Sequence, residues 1–280
     1  MKTFYLDRSK IEIPQNPPLK FAKEMVKKVR GYDKIVSIGG GSTIDVGKYI
    51  SLKLKIPHKA IPTTAGTGSE VTKFAVFTKN GKKFSLEDEK LIPDEFEHKP
   101  KLLNTLPKLY KASSMLDSLS QSVESYLSPN ATNESQLYSL KGILLILKRY
   151  KVFYEKGVGG LDLLKAAQFS GKAINITKTG ICHAISYPLT IHYGIQHGIG
   201  CAMTLCCLIK NWNFRFLDKT HLMNMMKELD VDKYFSILKE VDIDLVIDEA
   251  FKSERINNCI YTYTKKELKN ILKSIWEIKH

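Results

Sequence analysis

Apolar positions follow two different rhythms on either side of Leu106. Before it, short apolar runs alternate with glycine- and proline-rich turns. From Tyr110 onward the spacing is mostly helical. After Pro17-Pro18, residues 19–29 place Phe21, Met25 and Val29 on one side, which predicts an amphipathic helix. Residues 34–38 (Lys-Ile-Val-Ser-Ile) predict a short buried strand running straight into Gly39-Gly40-Gly41-Ser42. Residues 43–54 read as a helix and residues 60–62 as the end of another strand. A helix, a strand, a glycine turn and a helix make an α/β unit on a parallel sheet. The second half predicts helices over residues 109–127, 135–150, 162–174, 182–192, 197–212, 222–229 and 265–275, with Pro107 and Pro129 as punctuation. So much helix is more than a cap on a small sheet. We therefore expect an α/β domain over residues 1–108 and an all-α domain over residues 109–280.

Composition narrows the function classes. A chain of 280 residues buries a core without disulfide or metal staples. Its net charge of +14 invites a nucleic-acid reading, but only five of the 43 basic residues are arginine, and the lysines are spread along the whole chain. Nucleic-acid readers lean on arginine and cluster their charge. No nucleic-acid partner is expected, and an anionic substrate or cofactor competes with a plain lysine-rich surface. Five cysteines (Cys182, Cys201, Cys206, Cys207, Cys259) form no C-x-x-C pair, which argues against a disulfide framework and against a cysteine zinc site. The first residues lack a signal-peptide apolar region. The longest apolar runs, residues 143–147 and 201–209, fall far below the ~18 residues of a membrane span. We expect a cytoplasmic protein without a membrane partner.

Two loops stand where predicted strands end. Gly39-Gly40-Gly41-Ser42-Thr43-Ile44-Asp45 turns a strand into a helix; its glycines let a phosphate approach, and the helix start supplies unpaired N–H groups. It is neither a Walker loop nor a G-x-G-x-x-G fingerprint. A tight turn without ligand stays open as its bland reading. The second loop, residues 62–72, gathers threonines and a serine between glycines and reads as a polar pocket wall. Further on, Asp117 and Gln121 lie four apart on one predicted helix face, and His183 and His197 lie fourteen apart. One carboxylate, one amide oxygen and two imidazoles suit a divalent metal of borderline hardness. Taken alone, each histidine is more often a plain core or surface residue. His58, His98, His192, His221 and His280 have no such context and are taken as surface groups.

With those motifs in order, the chain resembles the iron-containing (group III) alcohol dehydrogenase family, whose relatives include glycerol dehydrogenase and dehydroquinate synthase. The matching blocks are GGGSTIDVGK (39–48), PTTAGTGSEVT (62–72), LPKLYKASSMLDSLSQSVESYLS (106–128) and HAISYPLTIHYGIQHG (183–198). Residues 170–190, the Gln121 variant within DSLSQSVESYLSPNATNES, and FKSERINN (251–258) look like the phosphonoacetaldehyde reductase branch. The resemblance implies a dehydroquinate synthase-like fold: a Rossmann-like domain, here shortened at its start by the family's opening strand and glycine turn, followed by a helical domain. It implies NAD(P)H as cofactor, held by Gly39, Gly40, Gly41, Ser42 and Asp45 on the pyrophosphate side, by Thr63, Thr64 and Thr67 on the nicotinamide-ribose side, and by Lys83. It implies a divalent metal, Fe2+ or Zn2+, on Asp117, Gln121, His183 and His197, with Gln121 where the family usually has histidine. Tyr187 replaces a histidine often found there and becomes the expected proton donor. The implied reaction reduces an aldehyde to an alcohol, with phosphonoacetaldehyde to 2-hydroxyethylphosphonate as the narrower reading. The alternatives are a general short-chain alcohol or polyol dehydrogenase and a shortened, inactive homologue. For an anionic aldehyde, Lys172, Asn175 and Lys178 are the expected substrate contacts, with the helix ending near Ile176 and Lys178 in the loop. A homodimer stays open.

Overall fold

The computed structural model describes residues 2–79 and 82–276. Four parallel strands, β1 (Thr3–Asp7), β2 (Lys34–Gly39), β3 (His58–Pro62) and β6 (Glu95–Phe96), form a sheet in the order β1-β2-β3-β6. Helix α1 (Leu19–Val29) buries Ala22, Met25 and Val29, and α2 (Gly41–Leu54) is buried along most of its first three turns. Both helices share an apolar cluster with Leu6, Ile35 and Phe77. Strands β4 (Phe74–Lys79) and β5 (Lys82–Glu87) pair antiparallel as a separate ribbon, and Ala75 and Phe77 belong to the same core.

The helical side comprises α3 (Lys108–Tyr126), α4 (Asn133–Lys156), α5 (Gly160–Thr177), α6 (Ile181–Tyr193), α7 (His197–Leu208), α8 (Lys219–Glu228), α9 (Ile243–Ala250) and α10 (Lys265–Trp276). A second apolar cluster runs through all of them, centred on Leu116, Leu119, Ile185, Ile199 and Leu205. Helix α4 is longer than its sequence pattern predicts, because both ends are fixed by caps. Thr132 and Ser135 form a reciprocal capping box, and Gly157 takes the left-handed conformation at the other end. No described helix is long and apolar enough to cross a membrane.

Several placements differ from expectation. Strands β1, β4, β5 and β6 and helix α9 were not among the expected elements. His58 is a core residue: it is 1% exposed, its Nε2 meets the Ser37 hydroxyl at 2.8 Å, and burial lowers its pKa to about 3. His98 is half-buried beside Glu70. His192 and His221 are exposed as expected, beside Glu249 and Asp218, and His280 lies outside the described residues.

The sheet register brings the two loops together. Gly39 at the end of β2 stands opposite Pro62 at the end of β3, and Thr63 N donates to Gly39 O at 2.9 Å. Both loops therefore leave the sheet side by side at its carboxyl edge, where ligands of open α/β sheets bind.

Candidate nucleotide and metal site

A cleft of about 1190 Å³ opens between this sheet edge and the helical side. Gly40 caps α2 without any side-chain hydrogen bond, and the helical ladder starts with Thr43 and Ile44 donating to Gly40 O. The helix start thus faces the cleft with backbone N–H groups and the positive end of its dipole. The two loops pack closely: a Cβ on Gly41 would lie 2.8 Å from Thr67 Cγ2. Gly40, Gly41, Ser42, Thr63, Thr64 and Thr67 all line the cleft, and this arrangement fits a dinucleotide pyrophosphate.

Two residues expected there are otherwise engaged. Gly39 belongs to β2 and is not part of the cleft wall; a side chain on it would run into Thr43. Asp45 reaches the wall, but its carboxylate accepts from Ser69 Oγ at 2.6 Å and from Val76 N at 2.9 Å. One turn on, the fully buried Lys48 donates to Thr72 O (2.8 Å), Thr72 Oγ1 (3.0 Å) and Phe74 O (2.7 Å). Burial lowers its pKa to about 8, opposed by the Asp45 carboxylate 3.8 Å away. This pair stitches the second loop and β4 to α2. A carboxylate would in any case repel a pyrophosphate, so its structural engagement makes physical sense.

The second half of the cleft is built by three helices. Asp117 sits on α3, His183 on the first turn of α6, and His197 at the first position of α7. Helix α7 reaches α3 because Gly198 packs on its backbone; a Cβ there would sit 1.8 Å from Ser113 O. Asp117 Oδ1 lies 3.2 Å from His183 Nε2 and 3.9 Å from His197 Nε2. The far ring nitrogens are tied elsewhere. Glu124 Oε2 accepts from His183 Nδ1 at 2.5 Å, and Ser186 Oγ meets His197 Nδ1 at 2.8 Å. Each Nε2 is thereby turned to the centre, as second partners turn metal-binding histidines. Burial opposes charge on Glu124, yet the adjacent His183 holds its carboxyl below the ordinary range. Burial, joined by Lys83, His183 and Arg255, lowers the His197 pKa well below its usual value; for His183 burial also acts to lower it, but Cys201, Glu124 and Asp117 together raise it well above. A neutral Nε2 is the form that ligates a metal. A carboxylate oxygen and two oriented imidazoles fit a divalent transition ion.

Gln121 faces this group differently from expectation. Its Oε1 accepts from Ser170 Oγ at 2.9 Å, while Nε2 lies 3.4 Å from Asp117 Oδ1. As placed, the amide nitrogen is the end nearer the cluster, where it can donate to the Asp117 carboxylate, and Ser170, whose hydroxyl also lies 2.9 Å from Ala167 O, flanks the other end. In its place Cys201 joins the group: its sulfur, Asp117, His183 and His197 present donor atoms within 4.8 Å of one another.

Tyr187 stacks on His197, ring centroids 5.3 Å apart. Lys83 Nζ lies 4.6 Å from the centroid of the same ring and the Arg255 guanidinium 5.4 Å. Burial lowers the Lys83 pKa to about 8. Of the three expected substrate contacts, only Lys178 lines the cleft, just past the end of α5, and it is neutralised by Glu87 at 2.8 Å. Lys172 instead lies over the Tyr138 ring of α4, and Asn175 Oδ1 accepts from Lys73 N at 2.8 Å. Neither lines the cleft: Lys172 is turned to α4, and Asn175 to the segment that enters β4. Arg255 was not expected. Its segment clamps the loop before His183: Arg255 Nε donates to Thr179 Oγ1 at 2.9 Å, and Asn258 Nδ2 to Thr177 O at 2.7 Å. Glu124 was legible in principle, being seven residues after Asp117 on one helix face, and Cys201 four after His197. Arg255 lies in the FKSERINN block (251–258) noted in the sequence, but nothing in that block alone places it beside Tyr187.

Comparison with known proteins agrees with this geometry. Residues 9–96 match the sequence profile of iron-containing alcohol dehydrogenases, and residues 111–215 match that of the Fe-containing alcohol dehydrogenase family, C-terminal part. The 4-hydroxybutyrate dehydrogenase of Clostridium kluyveri is 32% identical over 190 residues, covering 60% of this chain and 51% of that protein. The phosphonoacetaldehyde reductase of Streptomyces viridochromogenes is 36% identical over 156 residues, covering 54% of this chain and 40% of that protein. The chain thus aligns with about half, or less, of the length of these curated relatives. In fold it is similar to the crystal structure of sulfoacetaldehyde reductase from Bifidobacterium kashiwanohense in complex with NAD+, with a TM-score of 0.88, 22% identity, and coverage of 96% of this chain and 83% of that one. Two profiles of one family match in succession along most of the sequence, over a fold that family shares, and the chain belongs to the iron-containing alcohol dehydrogenases.

Proposed function

We propose that this chain carries an NAD(P)H- and divalent-metal-dependent reductase that converts a small anionic aldehyde to its alcohol, with phosphonoacetaldehyde to 2-hydroxyethylphosphonate as the specific pair. The carrying observation is the placement of Lys83 and Arg255 on the Tyr187 ring beside His197. Neither cation forms an ion pair with a carboxylate among the described residues, whereas Lys178 does. Asp117 partly offsets the charge of Lys83, whereas Arg255 beside the metal-ligating group calls for an anion. The names of three similar proteins carry such a group as well: a phosphonate, a sulfonate and a carboxylate.

When bound, the metal supplies Lewis-acid polarisation of a carbonyl and the nicotinamide supplies hydride. The chain's own residues do the rest. Asp117, His183 and His197 hold the ion. The glycine turn and Thr63, Thr64 and Thr67 orient the dinucleotide along the sheet edge. Arg255 anchors the substrate's anionic end, and Lys83 serves the cofactor side. Tyr187 gives its hydroxyl proton to the forming alcohol.

The test compares kcat/KM for phosphonoacetaldehyde and for propanal. The wild type should prefer the phosphonate, and Arg255→Ala should lose about one to two decades on it, the equivalent of ~1.5–3 kcal/mol for a charge-assisted contact, while propanal is spared. Lys172→Ala and Asn175→Ala should leave both rates unchanged. Equal losses on the two aldehydes in Arg255→Ala, or a wild type that prefers propanal, would overturn the anionic reading in favour of a general alcohol dehydrogenase.

A further inference from the structure

Gln121 stands where the resemblance implies a fourth metal ligand, and its amide is hydrogen-bonded to Ser170 and Asp117. Asp117, His183 and His197 make three protein donors, and a catalytic site keeps a further position for the substrate oxygen. Cys201 is placed to add a fourth protein donor beside that position. It follows His197 by four residues on α7, so both side chains leave the same helix face. Its sulfur is 3.9 Å from His197 Nε2 and lies within 4.8 Å of the donor atoms of Asp117 and His183.

The other four cysteines are placed differently. Cys206 Sγ packs on Met226 Sδ and Cys207 Sγ donates to Met203 O, both further along α7. Neither these two nor Cys182 and Cys259 belong to a metal-competent group among the described residues. Cys201 is fully buried, yet it touches polar donors and not only apolar neighbours. Four protein donors at ~2.0–2.3 Å, with a fifth position left to the substrate oxygen, would stand roughly 2.8–4.0 Å apart. The Asp117–His183 separation of 3.2 Å and the 3.9 Å separations of His197 from Asp117 and from Cys201 lie in this range.

We propose that Cys201 is a thiolate ligand of this metal site, a fourth protein donor beside Asp117, His183 and His197. The inference rests on the metal reading given above and adds to it a sulfur donor. On binding, the Cys201 thiol loses its proton to solvent and the sulfur lone pair forms the new bond; no redox change is involved. A thiolate is a soft donor, so the site prefers zinc to ferrous iron more strongly than an oxygen- and nitrogen-only set would. The sequence argument against cysteine zinc sites does not reach this case, since it concerned paired cysteines.

Cobalt(II) tests this without any turnover. The purified chain is stripped of metal, titrated with Co2+, and read by absorption for the thiolate-to-cobalt charge-transfer band in the near ultraviolet, with bound cobalt measured by elemental analysis. The expected result is one such band in the wild type, its complete loss in Cys201→Ser at saturating cobalt, and its retention in Gln121→Leu and in Cys206→Ser. Cobalt bound without a band in the wild type would overturn the sulfur ligand and leave the three-donor site standing. A band that survives in Cys201→Ser would assign the sulfur elsewhere and overturn the inference. Failure of the folded wild type to bind cobalt at all would overturn the sulfur ligand and the metal reading together. Circular dichroism of each variant checks the fold, and the wild-type band alone decides the first outcome if Cys201→Ser does not fold.

Discussion

The Asp45–Lys48 pair on α2 and the Asp117–His183–His197 group between α3, α6 and α7 are both taken out of water, and they satisfy their charges in opposite ways. In the first, every polar atom points inward at another part of the chain: Asp45 at Ser69 and Val76, Lys48 at Thr72 and Phe74. Nothing is left over to meet a ligand. In the second, hydrogen bonds hold the outer atoms, Glu124 on His183 and Ser186 on His197, while the inner atoms converge on one point beside the cleft. His197 keeps the group open, with 24% of its side chain exposed against 7% for Asp117. Buried charge alone therefore does not mark a site. Outer atoms tied and inner atoms converging do, and the two clusters make that distinction testable.

The largest effect should follow from removing a converging atom. His197→Ala is expected to lose its metal entirely, read as elemental content after dialysis, while its thermal stability matches that of the metal-stripped wild type. A variant that keeps the ion would place the site elsewhere. Breaking the closed cluster should act on the other quantity. Lys48→Met strands the buried Asp45 carboxylate, a loss of about 3–5 kcal/mol and a Tm lower by roughly 10 °C. Its folded fraction should bind metal as tightly as the wild type. If Lys48→Met instead weakened metal binding and left Tm alone, the contrast between the clusters would fail. Smaller still is the effect of the outer atoms. Glu124→Gln keeps the size and one acceptor but loses the charge that turns His183, so metal affinity by isothermal titration should fall by about ten- to a hundredfold without loss of fold.

The sequence disclosed what is local. The glycine turn and the threonine loop are legible because a strand end, a tight turn and a helix start each demand particular residues. Among the helices of the second half, α5 is legible by a 3.6-residue period of buried positions, whereas α6 and α7 are buried nearly all round and are legible only as long apolar stretches between turns. The β4–β5 ribbon escaped because lysines interrupt its apolar residues along the sequence, with Lys73 and Lys79 flanking residues 74–78 and Lys82 and Lys83 opening Lys82–Glu87. Asp45 was assigned to phosphate by its place in a motif, and only its contacts with Ser69 and Val76 reveal a different duty. Lys172 and Lys178 were both expected at the substrate, but which of them meets the cleft depends on how α5 packs. Arg255 reaches Tyr187 across 68 residues of sequence, a proximity that no local pattern encodes.

The central claim is that Asp117, His183 and His197 hold a divalent ion at the base of the nucleotide cleft. Crystals grown with zinc and NAD+ give the most direct test, through an anomalous difference map collected at the zinc absorption edge. The account predicts one strong peak at about 2.0–2.2 Å from Asp117 Oδ1 and from the Nε2 atoms of His183 and His197. A map with full zinc occupancy at another place, and none at these three atoms, would contradict it.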